Sequence, residues 1–307
     1  MAGKGRRSRG KQKIKPGDLA ISLAFLAPAL LICIVFVIYP VVDTVELSFK
    51  KWNGMFGAQE LFIGLENYQK IFSDKLFWNA MLNSVYFMIG GFVILMPLAF
   101  GLALLVTSKI RGASVFRTCY FLPVMLGTTA VALMWTFILN PNYGVAHSIY
   151  NMLGVDGKVV DVLSTKTLNV WVVVLVNEWM YAGYNMLIFA AGLSAIPGDV
   201  NEAAVLDGAT GWQRVRYVTI PMMKNSFKIF SILCVTGCLK VFDIIWAMTR
   251  GGPNDASSTP TIMLYTQAFS YKLFGRSSAY GVTLLVLGVT LSIVCNKIFA
   301  EDKDLRM

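Results

Sequence analysis

A polar segment with regularly spaced acidic, small and glycine residues lies between two long apolar segments of the chain. Asp199 and Glu202 are three residues apart, a spacing typical of a capping box, and they predict the start of a helix. Gly208 permits the left-handed conformation that ends many helices, and Thr210 with Gln213 predicts a second capping box. The segment therefore predicts a short, rigid, protruding helix that suits docking into the groove of a partner. The alternative is that Glu202 only caps a helix, and both interpretations can hold together.

A stripe of aromatic and amide side chains lies in the fourth apolar segment. Asn177, Tyr181 and Tyr184 share one face of a helix, and Glu178, Tyr181 and Asn185 form a neighbouring stripe. Polar groups cost free energy in hydrocarbon, so these stripes should face a bundle interior or a wet cavity. Aromatic faces and amides suit a sugar, because rings stack on C–H groups while amides bond hydroxyls. The alternative is that these groups form hydrogen bonds between helices.

Two opposite charges lie within the fifth apolar segment. Lys240 and Asp243 are three residues apart and would share a helix face. The favoured interpretation is a mutually neutralising pair that makes membrane insertion cheaper. A polar contact with a transported solute is the alternative.

Catalytic and metal-binding chemistry find little support in the sequence. His147 is the single histidine, and the five cysteines fall in or at the edge of apolar segments, where they are expected to act as small hydrophobic residues. The basic segment Gly5–Gln12 approaches a phosphate-binding loop but lacks its final Ser or Thr and the flanking strand and helix. We therefore expect no cofactor, metal or catalytic residue in this chain.

The composition places the chain in a membrane. Of its 307 residues 56% are apolar and 14% are charged, and the mean hydropathy is +0.62, which a soluble domain cannot bury. The net charge of +10 could suggest nucleic acid, but the basic residues cluster near the N-terminus beside an apolar segment. That arrangement is typical of cytoplasmic anchoring, so no nucleic-acid partner is expected.

Six segments are long and apolar enough to cross a bilayer, which needs about 20 residues each. They predict a six-span domain over residues 19–300, with basic tails at 1–18 and 301–307 and a loop at 196–225. Most of the 27 Lys and Arg residues fall on one side, which predicts that both termini and this loop are cytoplasmic. The first span is expected to close at Tyr39-Pro40, and Pro221 is expected to end the turn after the second capping box. The predicted spans are Leu19–Tyr39, Ala80–Val106, Tyr120–Leu139, Leu168–Leu193, Ser226–Met248 and Ala279–Ala300.

The polar loop carries a specific resemblance. Glu202-Ala203-Ala204, then Asp207-Gly208, Trp212-Gln213 and Thr219-Ile220-Pro221 resemble the EAA loop of binding-protein-dependent ABC importer permeases, most of all their carbohydrate branch. The sequence departs from the family at Val215, where an aromatic residue is common. Further matches are Gly64-Leu65-Glu66-Asn67-Tyr68, Phe121-Leu122-Pro123, Asn140-Pro141 with Tyr143-Gly144, Asn185-Met186 through Ala195-Ile196-Pro197, Val241-Phe242-Asp243, and Thr249 before Gly251-Gly252-Pro253.

The resemblance implies an all-α integral membrane protein with six transmembrane helices, like the type I importer permeases. It implies a second, homologous permease subunit, two cytoplasmic ATPase subunits that hold ATP and Mg, and an external solute-binding protein. It places the chain in a bacterial or archaeal cell membrane, where it works by alternating access. The resemblance places Glu202, Ala203, Ala204, Asp207 and Gly208 at the coupling contact and favours Asn177 and Tyr184 as cavity-lining. Together with the stripes and charges described above, the predicted substrate path comprises Asn177, Tyr181, Tyr184, Asn185, Lys240 and Asp243.

Other functions remain open at this point. Within the importer class, the solute could be a polyol phosphate instead of a sugar or oligosaccharide. An ion-coupled secondary transporter would need an intramembrane relay, for which Glu178, Lys240 and Asp243 are the candidates. A membrane enzyme would need a nucleophile–base or metal constellation, and the sequence offers none.

Overall fold

The computed structural model describes residues 16–55, 57–108, 112–152 and 160–299. The two predicted tails lie outside these residues, apart from 16–18, which already belong to the first helix. Within the described residues almost every ordered element is helical, and one hairpin of two short strands, β1 (Lys50–Lys51) and β2 (Leu61–Phe62), interrupts the helices. The predicted all-α fold is confirmed.

The α-helical segments of the described residues are numbered α1 to α16 in chain order. They are α1 Pro16–Cys33, α2 Tyr39–Ser48, α3 Glu66–Ser73, α4 Lys75–Gly90, α5 Met96–Thr107, α6 Ala113–Met125, α7 Thr128–Ile138, α8 Val145–Met152, α9 Asn169–Ser194, α10 Gly198–Leu206, α11 Gly211–Arg214, α12 Ile220–Met222, α13 Lys224–Cys238, α14 Asp243–Met248, α15 Pro260–Tyr265 and α16 Phe274–Ile298. Four π-helical turns join or extend them, at Ile34–Ile38, Gly91–Leu95, Val215–Thr219 and Thr266–Ser270.

Four continuous helices in the described residues are long and apolar enough to cross a membrane: Ala24–Ser48, Lys75–Thr107, Asn169–Ser194 and Phe274–Ile298. Two further spans are bent pairs, with α6 and α7 meeting at 94° and the Gly211–Met222 rod meeting α13 at 69°. Counting each bent pair as one crossing gives six. The third and fifth predicted spans are therefore not the straight rods that their composition suggested.

Three of the four π-turns end two residues before a proline. The turn that ends at Ile38 is followed by Pro40, the turn that ends at Leu95 by Pro97, and the turn that ends at Thr219 by Pro221. A proline inside an α-helix lacks a donor and its ring collides with the carbonyl four residues earlier. A π-turn shifts the local pairing by one residue, and this wider turn is the site at which the helix accommodates the ring.

The expectation that Pro40 and Pro221 end their helices is therefore wrong. The first helix continues past Pro40 to Ser48, and the rod from Gly211 continues past Pro221 to Met222. The backbone break that follows lies at Met223 instead.

The fifth predicted span, Ser226–Met248, is interrupted inside the molecule. Helix α13 ends at Cys238 and α14 starts at Asp243, which leaves a short non-helical link between them. Two threonines that follow α14 donate hydrogen bonds to carbonyl groups of this link. Thr261 Oγ1 donates to Leu239 O at 2.8 Å, and Thr259 Oγ1 donates to Val241 O at 2.7 Å. Helical spacing therefore does not apply between Lys240 and Asp243.

The 196–225 loop is ordered by its own backbone. Ala209 N donates to Ala204 O and Gly208 N to Val205 O, both at 3.0 Å, with Gly208 at φ +76°, which is a Schellman end as predicted. The second capping box also forms, since Thr210 Oγ1 accepts from Gln213 N and Gln213 Oε1 accepts from Thr210 N.

The first capping box is absent from this loop. Helix α10 starts at Gly198 with Pro197 as its N-cap and without a side-chain cap. Because the fixed geometry of Pro197 starts the helix early, Asp199 lies within the first turn instead of capping it. In that position its negative charge still interacts favourably with the positive N-terminal end of the helix dipole.

The opposite end of the molecule carries the β1–β2 hairpin. Buried Asn67 ties this hairpin to the end of the first span by donating to Ser48 O and Lys50 O, both at 2.9 Å. Lys50 Nζ donates to Glu60 Oε2 at 2.8 Å and to Glu46, and these hydrogen bonds hold the pKa of Lys50 above its ordinary value.

The centre of the bundle is helix α9. Val173, Met186 and Phe189 are fully buried on it, against α5, α13 and α14. Helix α6 approaches so closely that a Cβ at Gly183 would lie 2.0 Å from Tyr120 O. Small residues of this kind allow helices in membranes to pack with their backbones close together.

Replacing Gly183 by Ala should therefore destabilise the fold. We expect a loss of about 1–3 kcal/mol, because the added methyl group meets backbone atoms that cannot rotate away. Gly101→Ala is the matched control, since a Cβ at Gly101 has no neighbour within 4 Å. Denaturation of the purified variants in detergent measures the difference. Equal stability of the two variants would contradict the close α6–α9 contact.

The predicted orientation can be tested by cysteine labelling of a variant whose five native cysteines are replaced. Gln59 in the hairpin and Asn201 on α10 are both exposed. Gly54 is unsuitable, because a Cβ there would lie 2.3 Å from the Phe274 ring. In intact cells an impermeant maleimide should label Gln59→Cys and reach Asn201→Cys only after permeabilisation. Labelling of Asn201→Cys alone would show the opposite orientation.

Candidate functional site

A cavity of about 350 Å³ opens where α9 meets the interrupted fifth span. Its walls come from α4 with the following π-turn, from the start of α7, from the middle of α9, and from α13 through to α14. The lining residues are Phe87, Gly91, Leu95, Thr128, Asn177, Glu178, Tyr181, Tyr184, Asn185, Phe230, Leu233, Cys234, Gly237, Cys238, Lys240, Val241, Phe242, Asp243 and Ile244.

All six residues that the sequence predicted for a substrate path lie on this cavity. Tyr184 is the most available of those on α9, with 45% of its surface exposed. Asn185 is buried and its Nδ2 donates to Tyr181 O at 3.0 Å, which leaves its amide oxygen without a protein donor among the described residues. The predicted helical face on α9 is therefore present, and it faces open space.

Lys240 and Asp243 both reach the cavity from the non-helical link and the start of α14, and both are exposed. Ion pairs between described residues join Lys50 to Glu46 and Glu60, and Lys70 to Glu66. Lys240 and Asp243 are thus not paired with each other. The favoured interpretation of a neutralising pair is wrong, because the chain leaves the helix between them and their side chains do not meet.

The cavity also contains residues outside the predicted substrate path. Glu178 is 2% exposed and accepts a hydrogen bond from Asn177 Nδ2 at 3.3 Å. Thr128 follows Gly127, whose φ of +80° makes the sharp bend between α6 and α7. Phe242 lies in the link beside Asp243. Glu178 could have been found from its stripe, but the backbone breaks that bring in Thr128 and Phe242 have no clear sequence pattern.

The chemistry of the lining is that of a binding site. It combines amides, hydroxyls and aromatic rings with two carboxylates and one ammonium group. These groups can accept and donate hydrogen bonds to a hydroxylated solute and stack against its apolar faces. No cluster of three metal-binding side chains occurs among the described residues.

The 196–225 loop forms a second surface. Glu202, Ala203, Asp207 and Gly208 are exposed there, whereas Ala204 is only 9% exposed and turns towards the protein. Leu206 is 88% exposed beside them. The small Ala204 therefore allows α10 to lie close to its own chain, and of the two alanines assigned to the coupling contact only Ala203 is exposed.

Comparison with known proteins agrees with this architecture. Residues 96–299 match the family described as binding-protein-dependent transport system inner membrane component. A probable ABC transporter permease protein of Pyrococcus horikoshii is 32% identical over 275 residues, which cover 89% of this chain and 94% of that protein. A probable starch degradation products transport system permease protein of Thermoanaerobacterium thermosulfurigenes is 31% identical, covering 88% of this chain and 90% of that protein.

A solved structure has the same fold. In the crystal structure of a bacterial ABC transporter involved in the import of the acidic polysaccharide alginate, one chain superposes with a TM-score of 0.81 at 19% identity, covering 92% of this chain and 96% of that chain. The family match covers about two thirds of the sequence, and the relatives cover nearly all of it. The chain therefore belongs to the family of binding-protein-dependent transport system inner membrane components, and it is the membrane-spanning permease of an ABC importer, a transport subunit and not an enzyme.

Proposed function

We propose that this permease imports a neutral sugar or oligosaccharide through the cavity beside α9. The observation that carries the proposal is the lining itself, in which Tyr181, Tyr184, Asn177 and Asn185 present rings and amides to one open space. Rings and amides are the groups that recognise the C–H faces and the hydroxyls of a pyranose. The relatives named for starch products and for alginate support a saccharide substrate.

A polyol phosphate is the second candidate, and the charge of the cavity disfavours it. Lys240 and Asp243 are the exposed charged groups on the cavity and they have opposite signs, whereas Glu178 is almost fully buried, so this subunit's half offers no excess of positive charge. A phosphate or another acidic group would lose solvation there without gaining a net positive environment, which is unfavourable. The same argument favours a neutral saccharide over an acidic one.

The partners and the mechanism follow from the family. We propose that a homologous permease completes the cavity, that an external binding protein delivers the solute, and that two cytoplasmic ATPase subunits hold ATP and Mg. Glu202, Ala203, Asp207 and Gly208 would contact the ATPase, with Ala204 supporting the helix from behind. Swinging an inward–outward equilibrium from 1:99 to 99:1 requires about 5.5 kcal/mol, which ATP-driven closure would supply through this contact. Both termini would be cytoplasmic.

Tyr184→Ala tests the substrate path. The complete importer in proteoliposomes should take up neutral di- and tetrasaccharides of the malto-, cello- or chito-series in preference to glycerol 3-phosphate. Tyr184→Ala should reduce this uptake about tenfold, because one stacked ring and its hydroxyl are lost. Leu175→Ala is the control, since Leu175 is 51% exposed on the same helix but does not line the cavity. Uptake equal to wild type in Tyr184→Ala would remove this face from the path.

Gly208→Val tests the coupling loop. A β-branched residue at φ +76° is strained, so the Schellman end should fail and α10 should lose its exit geometry. Glu202→Lys should act at the same surface through its reversed charge near the start of a helix. Both variants should insert normally and lose ATPase co-purification or solute-stimulated ATP hydrolysis. Gly211→Ala is the control, because its Cβ would meet only the flexible Arg214 side chain, at an ordinary contact distance of 4.0 Å. Wild-type coupling in both variants would make the loop a simple connection.

A further inference from the structure

A row of six aromatic rings runs from the hairpin end of the molecule to the cavity. Neighbouring ring centroids are 4.7 to 6.0 Å apart along the whole row. From the hairpin inward the rings follow in the order Trp52, Phe274, Phe269 and Tyr265. At the inner end Tyr265, Trp246 and Phe242 form a cluster in which each ring contacts the other two. The six rings come from three separate stretches of the chain, at Trp52, at Phe242–Trp246 and at Tyr265–Phe274, so tertiary packing and not one helix face aligns them.

The row is continuous with the cavity. Phe242 belongs to both, because it lines the cavity and stacks on Trp246 with 13° between the ring planes at 5.6 Å. At the other end Trp52 follows strand β1 and Phe274 begins α16. With six crossings, this end lies on the opposite side of the membrane from the 196–225 loop. The row thus joins the proposed outer face to the proposed substrate path.

The row is partly open at its surface. Phe269 is 62% exposed, and the other five rings are half-buried, with Phe242 and Trp246 at the edge of the core. At the centre of a second aromatic cluster, Phe189 and Phe230 contact each other at 5.5 Å and are almost fully buried. The row is therefore less enclosed than the centre of that cluster.

The polar edges of the row are also unoccupied. Within the described residues, no side-chain hydrogen bond involves Trp52 Nε1, Trp246 Nε1 or the Tyr265 hydroxyl. Tryptophan and tyrosine edges usually find a hydrogen-bond partner when they are buried, and these three belong to half-buried rings. Such a surface offers stacking and hydrogen bonds at once, the two contacts that a pyranose ring uses.

We propose that this aromatic row, Trp52–Phe274–Phe269–Tyr265–Trp246–Phe242, is a saccharide-binding track that guides successive sugar rings from the outer face into the cavity. The proposal rests on the proposed sugar import and adds a ligand site outside the cavity. Its ligand class is a neutral oligosaccharide of several pyranose rings, because the four rings from Trp52 to Tyr265 follow one another with centroids 4.8 to 6.0 Å apart. A monosaccharide or disaccharide would use only part of it.

The test compares uptake of two-ring and four-ring sugars by the complete importer in proteoliposomes. The probes are maltose and maltotetraose, cellobiose and cellotetraose, and chitobiose and chitotetraose. Phe269→Leu should lower the apparent affinity for the transported tetrasaccharide about five- to tenfold, which is the effect expected from losing one stacked aromatic contact. The apparent affinity for the disaccharide should fall by a smaller factor. Phe137→Leu is the matched control, because Phe137 is equally exposed, at 62%, and lies off the row. Trp246→Leu should behave like Phe269→Leu, with Trp78→Leu as its control.

Variants that keep an aromatic ring distinguish a role in stacking on the sugar from a role in packing of the protein. Phe269→Tyr should keep near wild-type uptake, and Trp246→Phe should keep the length dependence while losing the contact from Nε1. Equal losses in Phe269→Leu and Phe269→Tyr, or loss of the second permease from the purified Phe269→Leu complex, would overturn the proposal in favour of a packing role. Unchanged tetrasaccharide uptake in Phe269→Leu and Trp246→Leu would also overturn it. If the wild type takes up none of the sugars, the proposed function fails, and the track with it.

Discussion

The constraint on which this structure depends is that backbone polar groups in a membrane must be satisfied within the protein. Straight helices satisfy their backbone polar groups with their own hydrogen bonds. The cavity, however, lies where the helix of the fifth span is interrupted and some of these groups lack helical partners. At that point threonine hydroxyls serve the free carbonyls of Leu239 and Val241. In the segment after α14, Asn83 Nδ2 donates to Ala256 O and Ser258 O, both at 2.8 Å, and Asn169 Nδ2 donates to Gly252 O at 2.7 Å. These side chains satisfy the irregular backbone of the link and of the segment that follows α14.

The same constraint explains the prolines. Pro40, Pro97 and Pro221 each lie inside a rod that a soluble protein would more often end. A π-turn before each one shifts the pairing, so the rod can continue. The turn at Gly91–Leu95 has a further consequence, because Gly91 and Leu95 both line the cavity. Pro97, two residues after the lining residue Leu95, thus helps to shape the solute site.

Helix α9 connects the two proposed functional surfaces. It contains 26 residues and is about 39 Å long, enough to cross the membrane. Its middle carries Tyr181 and Tyr184 on the cavity, and its end leads through Pro197 into α10 and the exposed Glu202 surface. Close packing against α5 and α6 makes it a rigid body. A displacement of the loop by a partner would therefore reach the cavity wall along a single helix, which is the physical requirement for the proposed coupling.

The sequence by itself determined the class and most of the local structure. Composition and segment length predicted an all-α membrane protein, and helical spacing placed Asn177, Tyr181 and Tyr184 on one face, because a regular helix converts spacing into direction. Gly208 and the Thr210–Gln213 pair predicted their caps, because these motifs depend on a few neighbouring residues. The roles assigned to these residues in coupling and transport stay predictions.

Only the tertiary structure decided how the interrupted segments meet. It separated Lys240 from Asp243, turned Ala204 inward, carried helices past Pro40 and Pro221, and brought Thr128 and Phe242 to the cavity. It also aligned the aromatic row from Trp52 to Phe242. Each of these outcomes depends on contacts between residues that are far apart in the chain or on a break in the helix. Helical periodicity describes neither, because it holds only while the backbone stays regular.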